Sequence, residues 1–130
     1  MSPFAPHLLA LVAAGGALGS VLRYATGILC AQWFGIGFPW GTLAVNVIGS
    51  AVIGALGGAM AAGTPFPNEA RLLVITGILG GFTTFSAFSL DAGLLWQRAP
   101  LTSVGYVAAT LLLGLAAFAF CFWVARRISL

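Results

Sequence analysis

Apolar stretches, each about as long as a bilayer crossing, alternate along this chain with short connections rich in proline, glycine and charged residues. At roughly 20 apolar residues per crossing, the pattern predicts four membrane-spanning helices, at about residues 8–29, 41–62, 70–95 and 103–125. No alternating segments of barrel-strand length occur, which argues against a β-barrel. The predicted fold is therefore an all-α membrane protein, with residues 1–130 forming a single four-span domain.

Polar residues interrupt the second predicted span at helical spacing. Thr42, Asn46 and Ser50 recur every four residues and so share one face of the helix. An amide within the bilayer needs partners, so Asn46 either joins two helices or presents its N–H groups to a passing solute. The hydroxyls one turn to either side favour a polar track. A weaker stripe in the fourth span offers a second lining face, made of Tyr106, Thr110 and Gly114.

The first span carries a stripe of small residues and one arginine. Gly15, Gly19, Arg23 and Gly27 recur every four residues, and the glycines let another helix approach closely. Arg23 has two possible roles. Its side chain either extends to the lipid headgroups or stands beside an aqueous vestibule, where it would raise the local concentration of anions.

The segment "GGFTTFSAFSL", from Gly80 to Leu90, predicts a break in the third span near Gly80–Thr84. Each glycine costs a helix interior about 1 kcal/mol relative to alanine, and two β-branched threonines follow. Broken backbone at membrane depth requires cover by protein or water, and it exposes carbonyl and amide groups that coordinate ions. A glycine-rich packing crossing is the alternative. The clustered hydroxyls of two threonines and two serines, Thr83, Thr84, Ser86 and Ser89, favour an ion site.

The composition indicates that the chain lies in a lipid bilayer, and it excludes several classes of function. Hydrophobic residues make up 61% of the chain and charged residues 5%, against about 25% charged in a typical soluble domain. The only histidine, His7, precedes the first span, and Asp91 is the only acid within a predicted span, near its end. Motifs for hydrolytic, metalloprotease or nucleotide chemistry are absent, so the sequence predicts no enzyme. The remaining polar groups are neutral hydroxyls and amides, which suit an anion.

The arginines indicate almost no preferred orientation in the membrane. Arg71, Arg126 and Arg127 lie on the side of the termini, against Arg98 and, if it reaches the interface, Arg23 on the other side. Positive-inside asymmetry is therefore nearly lacking. Either the chain inserts in both orientations and pairs with an inverted copy of itself, or its insertion signal lies elsewhere. Charge counting leaves both alternatives open.

Three segments resemble the Fluc (CrcB) family of fluoride channels: "GGALGSVLRY", "GTLAVNVIGS" and "TGILGGFTTFSAFSLD". The resemblance extends over nearly the whole chain. It implies a dual-topology antiparallel homodimer with two pores in the cell (inner) membrane, through which fluoride leaves the cell passively and fluoride toxicity is relieved. The implied partners are the fluoride ion, a second copy of the chain and the lipid bilayer, with no nucleic acid.

The resemblance also implies roles for individual residues. Asn46 would be the pore amide, and Phe85 and Phe88 would line the ion path, whereas Phe82 occupies a variable position and would serve packing. Backbone carbonyls of Gly80 and Thr83 would hold a structural sodium ion (Na+) at the dimer centre. The other implied site residues are Thr42, Tyr106, Thr110 and Ser86 in the fluoride pore and Arg23 in the vestibule.

Fluoride is small and strongly hydrated, so it enters a low-dielectric site only against replacement donors. Asn46 and the hydroxyls can donate hydrogen bonds, and the positive edge of an aromatic ring can meet an anion. Gly114 stands where some relatives have a hydroxyl, which leaves the track in the fourth span incomplete. Two rival functions remain: a multidrug exporter, which would need a glutamate that the first span lacks, and a structural protein, which would tolerate Asn46→Leu.

Overall fold

The computed structural model describes residues 2–130, and helices account for nearly all of them. Helix α1 spans Pro6–Phe34 and α2 spans Trp40–Ala61. Helix α3 is a continuous run of three segments, Asn68–Ala70, Arg71–Leu79 and Gly80–Phe82. After a short break, α4 spans Phe85–Arg98, and α5 spans Pro100–Ile128.

Within residues 2–130, four helical units are long and apolar enough to cross a membrane: α1, α2, the α3–α4 pair taken together, and α5. The predicted all-helical architecture with four spans is therefore confirmed. The helices of the first and fourth units run past the predicted apolar limits, because helical backbone continues into the connections at both ends.

Large apolar side chains cover the outside of the molecule. Leu112, Leu115, Phe120 and Trp123 are all more than half exposed, whereas few large side chains are fully buried. Such a surface would aggregate in water but is matched to lipid tails, which are as apolar as leucine. The chain is thus a multi-pass membrane protein.

Glycines bring the helices into close contact. A Cβ atom at Gly19 would overlap the carbonyl oxygen of Ile78, so the glycine face of α1 packs directly on the backbone of α3. On the other side of the molecule, a Cβ atom at Gly58 would overlap the carbonyl oxygen of Phe122. Because lipid offers no hydrophobic drive for helix association, backbone contact of this kind holds membrane helices together.

The register between α2 and α5 brings their polar stripes face to face. As the second and fourth crossings, these helices run in the same direction, and Gly54 contacts Phe118 just as Gly58 contacts Phe122, both pairs 64 positions apart. The same offset continues toward the polar stripes. It pairs Thr42 with Tyr106, Asn46 with Thr110 and Ser50 with Gly114.

The third crossing is interrupted at Thr83 and Thr84, within the stretch where the sequence predicts a break. Both residues have extended backbone, with φ −82° and ψ 158° at Thr83 and φ −155° and ψ 122° at Thr84. The nine residues Arg71–Leu79 before the break form a π-helix, which the sequence pattern does not predict. Over so few residues the apolar pattern cannot distinguish the wider turn from an α-helix.

Candidate functional site

Asn46 holds the break through a pair of hydrogen bonds to the backbone of one residue, Thr84. Its Nδ2 donates to the Thr84 carbonyl at 2.9 Å, and its Oδ1 accepts from the Thr84 N–H at 2.8 Å. In an uninterrupted helix the Thr84 N–H would donate to the carbonyl of Gly80. The amide therefore joins α2 to the break and diverts the Thr84 N–H from Gly80. The second Nδ2 proton is not used in this pair and remains able to donate.

Helix α4 begins at the break, with Thr84 as its N-terminal cap. The Thr84 hydroxyl caps the helix by accepting from the Ala87 N–H at 3.1 Å. A helix N-terminus carries partial positive charge and unpaired N–H groups, which stabilise nearby anions. The backbone of the break thus supplies a positive electrostatic environment.

A cavity of about 410 Å³ opens beside the break, and we call it the inner cavity. It brings together residues from α2, α3, α4 and α5 that lie far apart in sequence. Thr110 reaches it from α5 with a hydroxyl that is buried and has no hydrogen-bond partner within residues 2–130. The predicted site residues among its lining are Asn46, Gly80, Thr83, Phe85, Phe88 and Thr110, and Ser50, Thr84 and Gly114 line it as well.

Two phenylalanines form the aromatic part of the inner cavity. The rings of Phe85 and Phe88 meet edge to face with their centroids 5.6 Å apart. Phe88 is buried, at 7% exposure, and its ring lies 5.3 Å from that of Tyr106. Phe85 is 75% exposed in the single chain, so one wall of the cavity is open at this ring.

Asp91 forms a polar cluster with Thr42 and Tyr106, on the far side of Phe88 from the break. The Thr42 hydroxyl donates to Asp91 Oδ2 at 2.6 Å, and the Tyr106 hydroxyl lies 3.5 Å from the same oxygen. The sequence pattern places Asp91 near the end of a span and indicates no role for it. The spacing could have indicated a role, because Asp91 lies three residues after Phe88 and therefore on the same face of the helix.

A second cavity of about 400 Å³, here called the outer cavity, lies beyond this cluster. Thr42 and Asp91 line its deep end, and Arg98 lines it together with the connection between α1 and α2. The Arg98 guanidinium donates to the Gly37 carbonyl at 2.7 Å. Tyr106, which is fully buried, contacts Phe88 of the inner cavity and Phe38 of the outer one, so its ring lies between the two cavities.

Arg23 lies against the break and does not extend to the membrane surface. Its Nε donates to the Gly81 carbonyl at 3.0 Å, about 16 Å along α1 from the end of the helix at Phe34. Neither cavity includes Arg23; it borders a shallow hollow on the face of α1. With Arg23 at the depth of the break, three interfacial arginines lie on one side of the membrane and one on the other, a stronger bias than three against two.

Ser86 lies outside both cavities in the single chain. Its side chain is exposed, and its hydroxyl lies 3.4 Å from the Thr84 hydroxyl. The remaining predicted pore residues, Thr42 and Tyr106, belong to the polar cluster with Asp91. The structure therefore places most of the predicted residues in the two cavities or between them, and leaves Ser86 and Arg23 outside both.

The sequence of this chain matches one protein family and is similar to many of its members. Residues 10–122 match the family described as CrcB-like protein, Camphor Resistance (CrcB). The fluoride-specific ion channel FluC of Agrobacterium fabrum is 51% identical over 110 residues, which cover 84% of this chain and 88% of that protein. The protein of the same name from a Chelativorans species is 47% identical over 123 residues, covering 94% of this chain and 98% of the relative.

Proposed function

This chain belongs to the CrcB family, and from that membership we propose that it is a fluoride-specific ion channel through which fluoride leaves the cell. It is a channel and not an enzyme. We further propose that it resides in the inner membrane and relieves fluoride toxicity there by passive efflux.

The inner cavity is the observation that carries this proposal. An amide, an unpartnered buried hydroxyl and a helix N-terminus converge there, and no acidic side chain lines the cavity. A dehydrated fluoride ion requires replacement hydrogen-bond donors, and these groups can provide them. We propose that the ion passes from the inner cavity by Phe88 and Tyr106 to Thr42 and the outer cavity.

Flux through purified protein tests the function directly. Liposomes that contain the protein and are loaded with sodium fluoride are expected to release fluoride far faster than empty liposomes. Chloride-loaded liposomes serve as the control for selectivity and should release chloride no faster than empty ones. Fluoride release at the rate of empty liposomes would contradict the proposal.

The phenylalanines provide a first prediction about the ion path. Phe85→Ile or Phe88→Ile keeps an apolar side chain and removes the ring edge, an interaction of roughly 1 kcal/mol if aromatic pairs are a guide. Loss of the ring also disturbs the edge-to-face pair of Phe85 and Phe88. We expect each variant to lower fluoride flux at least about fivefold.

Phe82→Leu is the matched control, because Phe82 lies beside Gly49 at the break and does not line the inner cavity. It is expected to conduct at nearly the wild-type rate. Equal losses in all three variants, with the protein correctly assembled, would show that ring edges do not act on the ion.

The open wall at Phe85 supports a dimeric pore. A channel needs a closed wall, yet Phe85 and Ser86 are exposed in the single chain, and the inner cavity opens beside them. We propose that a second copy in the inverted orientation covers this region, so that each homodimer has two antiparallel pores. This proposal rests on the family resemblance and the open wall. The arginines no longer support it, because three of the four interfacial arginines lie on one side of the membrane.

The break also offers ligands for a structural cation at the centre of that dimer. The Thr84 N–H binds Asn46, which leaves the Gly80 carbonyl without its usual helical donor. Arg23 occupies the Gly81 carbonyl, and extended backbone turns Thr83 out of the helix. Carbonyl oxygens are suitable ligands for a hard cation. We propose that the Gly80 and Thr83 carbonyls of both copies hold a sodium ion, which would stabilise the dimer.

Prolonged replacement of sodium by a bulky organic cation tests whether a structural sodium ion holds the dimer together. The expected result is dissociation of the dimer in size-exclusion chromatography together with loss of fluoride flux, because the facing carbonyls would repel one another without the ion. Return of sodium should restore the dimer. A dimer that is equally stable in both salts would contradict the proposed ion.

A further inference from the structure

Two hydroxyls line the inner cavity near Asn46: that of Thr110 lies at the level of Asn46, and that of Ser50 lies one helical turn beyond it. Thr110 on α5 is 8% exposed, and its Oγ1 has no hydrogen-bond partner within residues 2–130. Ser50 on α2 lines the same cavity. A buried hydroxyl without a partner is costly, so the arrangement calls for a ligand that accepts hydrogen bonds.

Gly114 makes the room for such a ligand. A Cβ atom built on Gly114 would meet only the Ser50 hydroxyl oxygen within 4 Å, at an ordinary contact distance of 3.7 Å. The register of α2 and α5 places Ser50 directly opposite Gly114, and Thr110 lies one turn before Gly114 on the same face of α5. The Ser50 hydroxyl thus lies next to the position that a side chain at residue 114 would fill.

We propose that Ser50 binds fluoride in the inner cavity, together with Thr110, and supplies from α2 the hydroxyl that α5 lacks at Gly114. The site lies one helical turn, about 6 Å, from Asn46 along α2. Both hydroxyls can rotate to donate to an anion, which is the chemistry that a partly dehydrated fluoride requires. The inference rests on the proposed fluoride channel and adds a binding position to it.

Moving the hydroxyl from one helix to the other tests the site. Ser50→Ala is expected to lower fluoride flux about fivefold, as one lost hydrogen bond would, and to raise the fluoride concentration that half-saturates the flux. The double variant Ser50→Ala with Gly114→Ser should recover to within about twofold of wild type, because the new hydroxyl lies close to the old one.

Ser89→Ala provides the matched control. Ser89 is exposed on α4 and donates to the Phe85 carbonyl, so its loss removes a membrane-helix hydroxyl outside the cavity. It should leave the half-saturating fluoride concentration unchanged. Assembly of every variant is checked by size-exclusion chromatography.

The possible outcomes separate this inference from the proposed function. A wild-type protein that does not conduct fluoride would overturn both. A conducting wild type with an unaffected Ser50→Ala variant would overturn only the role of Ser50. Failure of Gly114→Ser to restore flux in an assembled double variant would show that Ser50 acts through packing and not through its hydroxyl.

Discussion

Asn46→Asp is expected to lower fluoride flux about a thousandfold while the protein still assembles. An ionised carboxylate about 4 Å from the ion, at an effective dielectric constant near 20, repels it by about 4 kcal/mol. The new side chain can still accept from the Thr84 N–H, as Asn46 Oδ1 does, but it can no longer donate to the Thr84 carbonyl. Initial rates of fluoride release from liposomes measure the effect.

The chain offers a matched control in Asn68, its only other asparagine. Asn68→Asp makes the same change in charge at an exposed position in the first turn of α3 and should conduct like wild type. Size-exclusion chromatography establishes whether each variant is assembled. Fluoride release at the wild-type rate from Asn46→Asp would mean that the amide serves only to connect the helices.

Fixing the orientation of the chain in the membrane is expected to abolish fluoride flux completely. Lysines added at one terminus should hold that terminus on the cytoplasmic side, because positive charge near a span end sets topology. If the pores form only between inverted copies, a population with a single orientation cannot build them. Fluoride release from cells or from extracted membranes measures the result.

Co-expression of copies fixed in opposite orientations should restore the flux. The co-expression experiment distinguishes loss of the inverted partner from damage caused by the added lysines. Each copy still carries added lysines, so restored flux would show that the lysines themselves do not inactivate the pore. Full activity in a population shown by accessibility labelling to have one orientation would contradict the antiparallel dimer. The test matters because Arg23 does not reach the interface, and the remaining arginines favour one orientation by three to one.

Local patterns in the sequence were sufficient to predict the helices and the position of the break. Apolar length predicted four crossings, and the glycines and threonines from Gly80 to Thr84 predicted the interruption that the structure shows at Thr83 and Thr84. The spacing of Thr42, Asn46 and Ser50 likewise showed that they share a face. Each of these properties depends on a few consecutive residues, so it can be deduced without knowing what lies across from them.

Hydrogen-bond partners could not be predicted in the same way. For Asn46 the sequence left two alternatives, a link between helices or a donor to a solute, and the structure shows the link with one proton still available. Arg23 had two predicted roles, and neither included the Gly81 carbonyl that it binds. Asp91 received no role, although it joins Thr42 and Tyr106.

By itself, then, the sequence determined that the chain is a four-span helical membrane protein with polar stripes and a broken third crossing. Only the tertiary structure decided which polar groups meet, because the partners of Asn46 and Arg23 lie 38 and 58 residues away along the chain. Those meetings depend on how closely and in what register the helices pack. Contacts at Gly19, Gly54 and Gly58 set both the closeness and the register of helix packing. A glycine in the sequence permits another helix to approach closely, but it does not specify which helix that is.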